Sequence, residues 1–204
     1  MTNGTLDDEG RDLLFRLART HKAWLDGPVE KEKLVELYEL LKWCPTSANT
    51  CPMRVLFLVT ARAKERLRPA LWPGNVEKTM AAPVTAIIAY DYNFAANLPR
   101  LFPHNSRALN TLDTRAAVES TARRNGTLQA AYLILAARAV GLDCGPMSGF
   151  DPEAVDREFF DSYQTCFPAG ELKSDILCNL GYGNDAKLLP RSPRLGFEEA
   201  CALL

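Results

Sequence analysis

The stretch Leu128-Gln-Ala-Ala-Tyr-Leu-Ile-Leu-Ala-Ala-Arg-Ala-Val-Gly-Leu-Asp-Cys-Gly-Pro-Met-Ser-Gly-Phe-Asp151 holds a helical repeat, a break and a glycine-flanked segment in one short span. Leu128, Ala131, Tyr132, Leu135 and Ala139 recur at helical spacing and form one stripe, which predicts a long helix over 113–140. Gly141 is placed to cap it. Gly145-Pro-Met-Ser-Gly149 then reads as a tight turn. Upstream, residues 5–18 read as a helix with acidic residues near its start. A second helix opens at Pro28, carries Leu34, Leu37, Tyr38 and Leu41 through Trp43, and stops at Pro45. The apolar runs Arg54–Thr60 and Pro83–Tyr90 have strand character. Between them a helix broken by Pro69, Pro73 and Gly74 restarts at Asn75, and 92–111 is loop-like. Downstream come a short helix from Pro152, a strand at Ile176–Leu180, an irregular tail over Gly181–Pro193 and a helical patch at Phe197–Leu204. Helices outnumber strands in mixed order. That predicts an α+β fold, a small mixed sheet between helices, in a single domain over 1–204.

Composition narrows the function. Lys plus Arg is 24 against 25 for Asp plus Glu, a net charge of -1, which argues against a nucleic-acid partner. No apolar run approaches the roughly 20 residues of a membrane span, and MTNGTLDDEG lacks a charged-then-apolar leader, so a cytoplasmic protein is expected. Six scattered cysteines without a CxxC, and two histidines, His21 and His104, make a metal site unexpected. Cys178, in an apolar run, reads as a small buried hydrophobe. Gly181-Tyr-Gly183-Asn-Asp-Ala186 has the spacing of a dinucleotide turn, but Pro190 and Pro193 forbid the helix such a turn requires.

Four segments carry polar chemistry. They are Arg19-Thr20-His21-Lys22, Cys44-Pro45-Thr46-Ser47-Ala48-Asn49, the i, i+3 pair Asn75 and Lys78, and Gly145-Pro146-Met147-Ser148-Gly149-Phe150. Each also has a plain reading as a solvated face, a cap or a turn. Taken in order, they resemble the flavin nitroreductase family, with Arg191-Ser-Pro-Arg194 matching its basic tail element. The resemblance spans about residues 15–200. Within the family, ARTH, PTSAN, GPMSGFD, GYG and PRLGFEEAC are similar to the malonic semialdehyde reductase branch of bacterial uracil degradation. Two departures stand out: Ala18 where many members carry Arg, and Cys51-Pro52-Met53 where the family has Gln-Pro-Trp.

The resemblance implies an intertwined homodimer binding FMN at its interface and drawing hydride from NAD(P)H. It assigns cofactor contacts to Arg19, Thr20, Lys22, Pro45, Thr46, Ser47, Asn49, Asn75, Lys78, Met147, Ser148, Gly149, Arg191 and Arg194. The chemistry of these groups agrees. Arginine forks suit a dianionic phosphate, and an ammonium such as Lys78 suits the edge where reduced flavin gathers negative charge. Backbone N–H groups at Ser148 or Gly149 could donate to the ring. The segment 92–125 is a candidate lid or insertion over the flavin. Its Arg100, Arg107, Arg115, Arg123 and Arg124 form either a positive lid that attracts a carboxylate or a solvated face with i, i+4 pairs. His104 is either a proton donor or an ordinary loop histidine, so the catalytic candidates are Lys78 and His104. Three activities follow: reduction of a small anionic carbonyl such as malonic semialdehyde, reduction of flat nitroaromatics, quinones or halophenols, or flavin binding without turnover.

Overall fold

A computed structural model of the chain describes residues 4–104, 112–161, 167 and 170–204. Helix α1 (Asp8–Arg11) runs into a wider π turn over Asp12–Arg16. It ends there, short of the expected 5–18. Helix α2 is Lys31–Leu41, three residues after Pro28, because Glu30 is still extended. Strand β1 (Met53–Leu58) and helix α3 (Ala61–Leu67) follow, the latter capped by the Thr60 hydroxyl. Helix α4 is Pro73–Ala81, starting at the proline rather than at Asn75, since Pro at N1 lacks only an N–H that has no partner there anyway. Strand β2 is Val84–Asp91 and α5 is the single turn Leu98–Leu101 in the expected loop. Helix α6 (Arg115–Ala139) is the long one, with Gly141 at a φ of 78° just beyond it. Strand β3 (Asp143–Met147), helix α7 (Pro152–Asp156), strand β4 (Leu172–Gly181) and helix α8 (Phe197–Ala200) complete the described elements.

The sheet order is β1-β2-β4-β3 and each ladder is antiparallel. Among the described residues, parallel pairing is confined to an isolated bridge between Thr20 and Cys144. Strand β3 corrects the expected tight turn at Gly145–Gly149. Gly145, Pro146 and Met147 pair with Asn179, Cys178 and Leu177, and an edge strand tolerates Pro because its outer N–H positions need no partner. Central strand β2 is buried along its whole length, which is why Val-Thr-Ala-Ile-Ile-Ala-Tyr reads as a continuous apolar run. On one face of the sheet Leu37, Leu41, Leu133 and Ala137 pack against Ala86, Ile88 and Cys178. On the other, Leu67, Leu71, Phe150 and Val155 pack against Ile87 and Leu177. Burying each leucine fully contributes about 1.5–3 kcal/mol.

Helix α6 holds a second departure. Its buried side is Ala122, Asn125, Gly126, Gln129, Ala130, Leu133, Ala136 and Ala137. The stripe of Leu128, Ala131, Tyr132, Leu135 and Ala139 lies off that side, with Leu128 47% and Tyr132 38% exposed. The inner face carries amides because they hold loops. Asn125 Oδ1 accepts from Ser47 N at 2.8 Å and Gln129 Oε1 from Met53 N at 3.0 Å. No helix among the described residues is long and apolar enough to cross a membrane.

Candidate functional site

Strand β3 meets the N-terminal segment through the Thr20–Cys144 bridge, and His21 N donates to Cys144 O at 2.9 Å. This fixes Arg19 and Lys22 on either side of a buried His21. The His21 ring packs on Gly183, where a Cβ would lie 2.1 Å from Nδ1, and its Nε2 is 3.3 Å from Asp143 Oδ1. Asp143 Oδ2 in turn accepts from Gly183 N at 2.8 Å. Gly181 is equally confined, with a Cβ only 2.6 Å from Pro83. The Gly-Tyr-Gly motif therefore serves close packing. Only a three-residue 3-10 turn, Asp185–Lys187, follows it.

The tail returns beside Arg19. Arg19 donates to Leu189 O at 2.5 Å while Arg191 donates to Ala18 O at 2.9 Å, so the two segments brace each other. Between them and α6 lies a cavity of about 570 Å³. Arg19, Lys22, Arg138, Lys187, Arg191 and Arg194 line it, together with Thr20, and among the described residues no carboxylate does. Like charges converging without counter-charge are costly, and an anion relieves them. Arg138 adds a second sign of incompleteness, since its buried Nε has no hydrogen-bond partner. Arg138 is not among the sequence candidates. Arg138 belongs to an ordinary helical repeat and nothing in its spacing marks it.

A neighbouring group forms where α4 meets the end of β3. Asn75 Nδ2 donates to Gly149 O at 2.6 Å, and a Cβ on Gly149 would sit 2.4 Å from that amide. Trp72 N reaches the same carbonyl at 3.1 Å. Trp24 Nε1 and Asn179 Nδ2 both donate to Lys78 O, at 3.0 and 3.3 Å, fixing the backbone that carries the Lys78 ammonium. Burial, and after it the nearby Lys22 ammonium, push Lys78 below the ordinary lysine value. Met147 is buried and accepts from Thr79 Oγ1, while Ser148 is exposed at the strand exit. Asn75, Lys78, Met147, Ser148 and Gly149 are thus brought together, and Lys22 connects them to the arginine cavity.

Pro45, Thr46, Ser47 and Asn49 join neither group. Thr46 Oγ1 accepts from Cys51 N within the loop, while Ser47 N donates to Asn125 on α6 and Asn49 Nδ2 to Leu101 O at 2.8 Å. The loop is strained, with φ of 48° at Ala48, 49° at Asn49 and 40° at Cys51. The expected basic lid divides. Arg115 pairs with Glu171 and Glu119 and lies over the Tyr92 ring at 4.4 Å, and Arg123 interacts with Tyr90 and Asp175. Arg115 with Glu119 is the i, i+4 pair of the plain reading, while the partners of Arg123 belong to strands β2 and β4. Arg100 and Arg124 each line a separate cavity, and Arg107 lies outside the described residues. His104 is exposed in the turn after α5 and does not line the arginine cavity.

The sequence profile of the nitroreductase family matches residues 16–161. The chain belongs to the nitroreductase family. Solved structures share the nitroreductase fold at low identity. The nitroreductase-like YdfN of Bacillus subtilis is 22% identical with a TM-score of 0.81, over 94% of this chain and 97% of its own. A nitroreductase-like protein from Exiguobacterium sibiricum, crystallised in complex with FMN, is 17% identical with a TM-score of 0.79 over the whole of both chains. An NAD(P)H:FMN oxidoreductase-like protein of Staphylococcus epidermidis is 18% identical at a TM-score of 0.79, again over the whole of both chains.

Proposed function

We propose that this nitroreductase-family chain is an FMN-dependent NAD(P)H oxidoreductase, acting as a homodimer on a small anionic carbonyl substrate, with malonic semialdehyde reduced to 3-hydroxypropionate. One observation carries the flavin reading: six cations and, among the described residues, no carboxylate line one cavity, and Lys22 in its wall is close enough to act on the Lys78 ammonium, on the same helix as the Asn75 that bonds Gly149. These residues fit FMN. Arg19, Arg191 and Arg194 would hold the phosphate, and Lys78, Asn75 and the Ser148–Gly149 backbone would face the ring. The chemistry supplied by bound FMN is hydride transfer from NAD(P)H to the aldehyde carbon, while the carbonyl oxygen takes a proton. The chain's own part is orientation and charge. The Asn75–Gly149 bond sets the strand exit, and the Lys78 ammonium supplies positive potential.

The dimer reading is supported by two features. The Pro45–Asn49 loop lies apart from the basic groups, which suits a segment that serves the partner's flavin. Trp43 at 77%, Leu128, Tyr132, Leu195 and Phe197 are exposed, large apolar side chains that a partner protomer would cover. The narrower substrate rests on the resemblance of the Pro45–Asn49 and Gly145–Asp151 strings. Anaerobic stopped-flow tests the whole reading. NAD(P)H should bleach the bound flavin, and an aldehyde acid should restore it faster than a nitroaromatic does. The reverse order makes the chain a broad nitroaromatic reductase. Absence of bleaching leaves only flavin binding, and a monomer with stoichiometric FMN rules out the shared site.

Lys78→Met gives a sharper measurement. Methionine keeps a similar stem, so packing is largely preserved. A charge at a partly buried site is worth a few kcal/mol at an effective dielectric near 20, and a two-electron couple moves about 30 mV per 1.4 kcal/mol. The midpoint of bound FMN should therefore drop by some tens of millivolts in a spectroelectrochemical titration. An unchanged midpoint with FMN fully bound makes Lys78 an ordinary surface lysine. The ionisation of Lys78 also sets a pH limit. The negative charge that reduced flavin gathers at this edge favours the protonated amine, so affinity for reduced FMN should fall as pH rises through the lowered Lys78 pKa, and Lys78→Arg should hold that affinity to higher pH.

A further inference from the structure

Between the 46–51 loop, α5 and the first half of α6 lies a small cavity of about 120 Å³. Its wall includes Ser47, Thr50, Leu98, Leu112 and Arg124. Asn125 holds the loop above it by bonding Ser47 N, while its Nδ2 donates to Thr121 O at 2.8 Å. Two features in this wall are incomplete. Thr50 is only 3% exposed and its Oγ1 is buried without a hydrogen-bond partner, a state that native structures rarely leave without an occupant. Arg124 makes no ion pair or hydrogen bond among the described residues, although Arg115 and Arg123 on the same helix are both engaged. The loop between them sits in the left-handed region at Ala48, Asn49 and Cys51, and strain of that kind collects at binding sites.

We propose that this cavity is a carboxylate site for a short acid of about three carbons. The volume holds several waters but falls well below the roughly 300–1,000 Å³ of sites that take a ring-sized ligand, so neither flavin nor nicotinamide fits it. The Arg124 guanidinium pairs with the carboxylate, the Thr50 hydroxyl donates to one of its oxygens, and Leu98 and Leu112 cover the methylene. The site stands on Arg124 and Thr50. Its use as the anchor for an aldehyde acid rests in addition on the flavin reading above.

Isothermal titration of the protein as purified tests it, with 3-hydroxypropionate as probe and 1,3-propanediol as the neutral control. The acid is expected to bind saturably and the diol not at all. Arg124→Gln should weaken the acid by about tenfold to a hundredfold, and Thr50→Val, which keeps shape and removes the orphan hydroxyl, by several-fold. Arg124→Lys should fall between wild type and Arg124→Gln, since it keeps charge without the fork. Acid binding unchanged in Arg124→Gln, or a diol that binds as well as the acid, overturns the site. In flavin-loaded enzyme, Arg124→Gln should raise the KM for the aldehyde acid relative to that for propanal. Arginine-dependent binding in a protein that reduces neither aldehyde sinks the flavin reading and leaves the carboxylate site standing.

Discussion

Arg19→Ala is expected to weaken FMN binding by about one to two decades, while turnover of flavin-saturated enzyme stays close to wild type. Arg19 lines the carboxylate-free cavity and also donates to Leu189 O, so the substitution removes a phosphate fork and the strut that keeps the tail beside it. A charge-assisted hydrogen bond contributes roughly 1.5–3 kcal/mol, which converts to that range of affinity. Arg194→Ala makes a useful contrast. Among the described residues Arg194 bonds only Ser192 O and Pro193 O within its own segment, so its loss should stay near one decade and leave the tail in place. Fluorescence titration of apo-protein with FMN measures both. Unchanged affinity in both variants moves the phosphate away from this end of the cavity, toward Lys187 and Arg191.

Gly183→Ala should be the most damaging single methyl in the N-terminal half of the site. The added Cβ would lie 2.1 Å from His21 Nδ1 and 2.3 Å from its Cγ. His21 is only 3% exposed and is confined against Asp143, so the ring cannot swing away without breaking that contact. Overpacking of this kind costs about 1–3 kcal/mol or more, and each kcal/mol lowers Tm by roughly 2–4 °C in a chain of this size. FMN affinity should fall with stability, because His21 sits between Thr20 and Lys22. A calorimetric scan that finds Gly183→Ala as stable as wild type means that the His21–Gly183 packing is not a constraint. Gly74→Ala is the control, since a Cβ there meets nothing within 4 Å.

Sequence alone determined the elements whose signal is local. The α+β class, the central strand, the long helix ending at Gly141 and the order of the polar segments were all legible. A continuous apolar run or a glycine cap owes its meaning to its own neighbours in the chain. Tertiary structure decided what depends on partners distant in sequence. Strand β3 reads as a turn because glycine and proline usually break structure, and only its place at the sheet edge lets Pro146 pair with Cys178. The periodicity of α6 yields an apolar stripe, yet the face that meets the sheet is the other one, because Asn125 and Gln129 are needed inside to hold loop backbone. The five lid arginines look alike in the sequence. Glu171 and Tyr92 engage Arg115, Tyr90 and Asp175 engage Arg123, and Arg124 shares the wall of a small cavity with Thr50. Arg138 entered the basic cavity for the same reason: charge acts through space, and folding alone decides which charges converge.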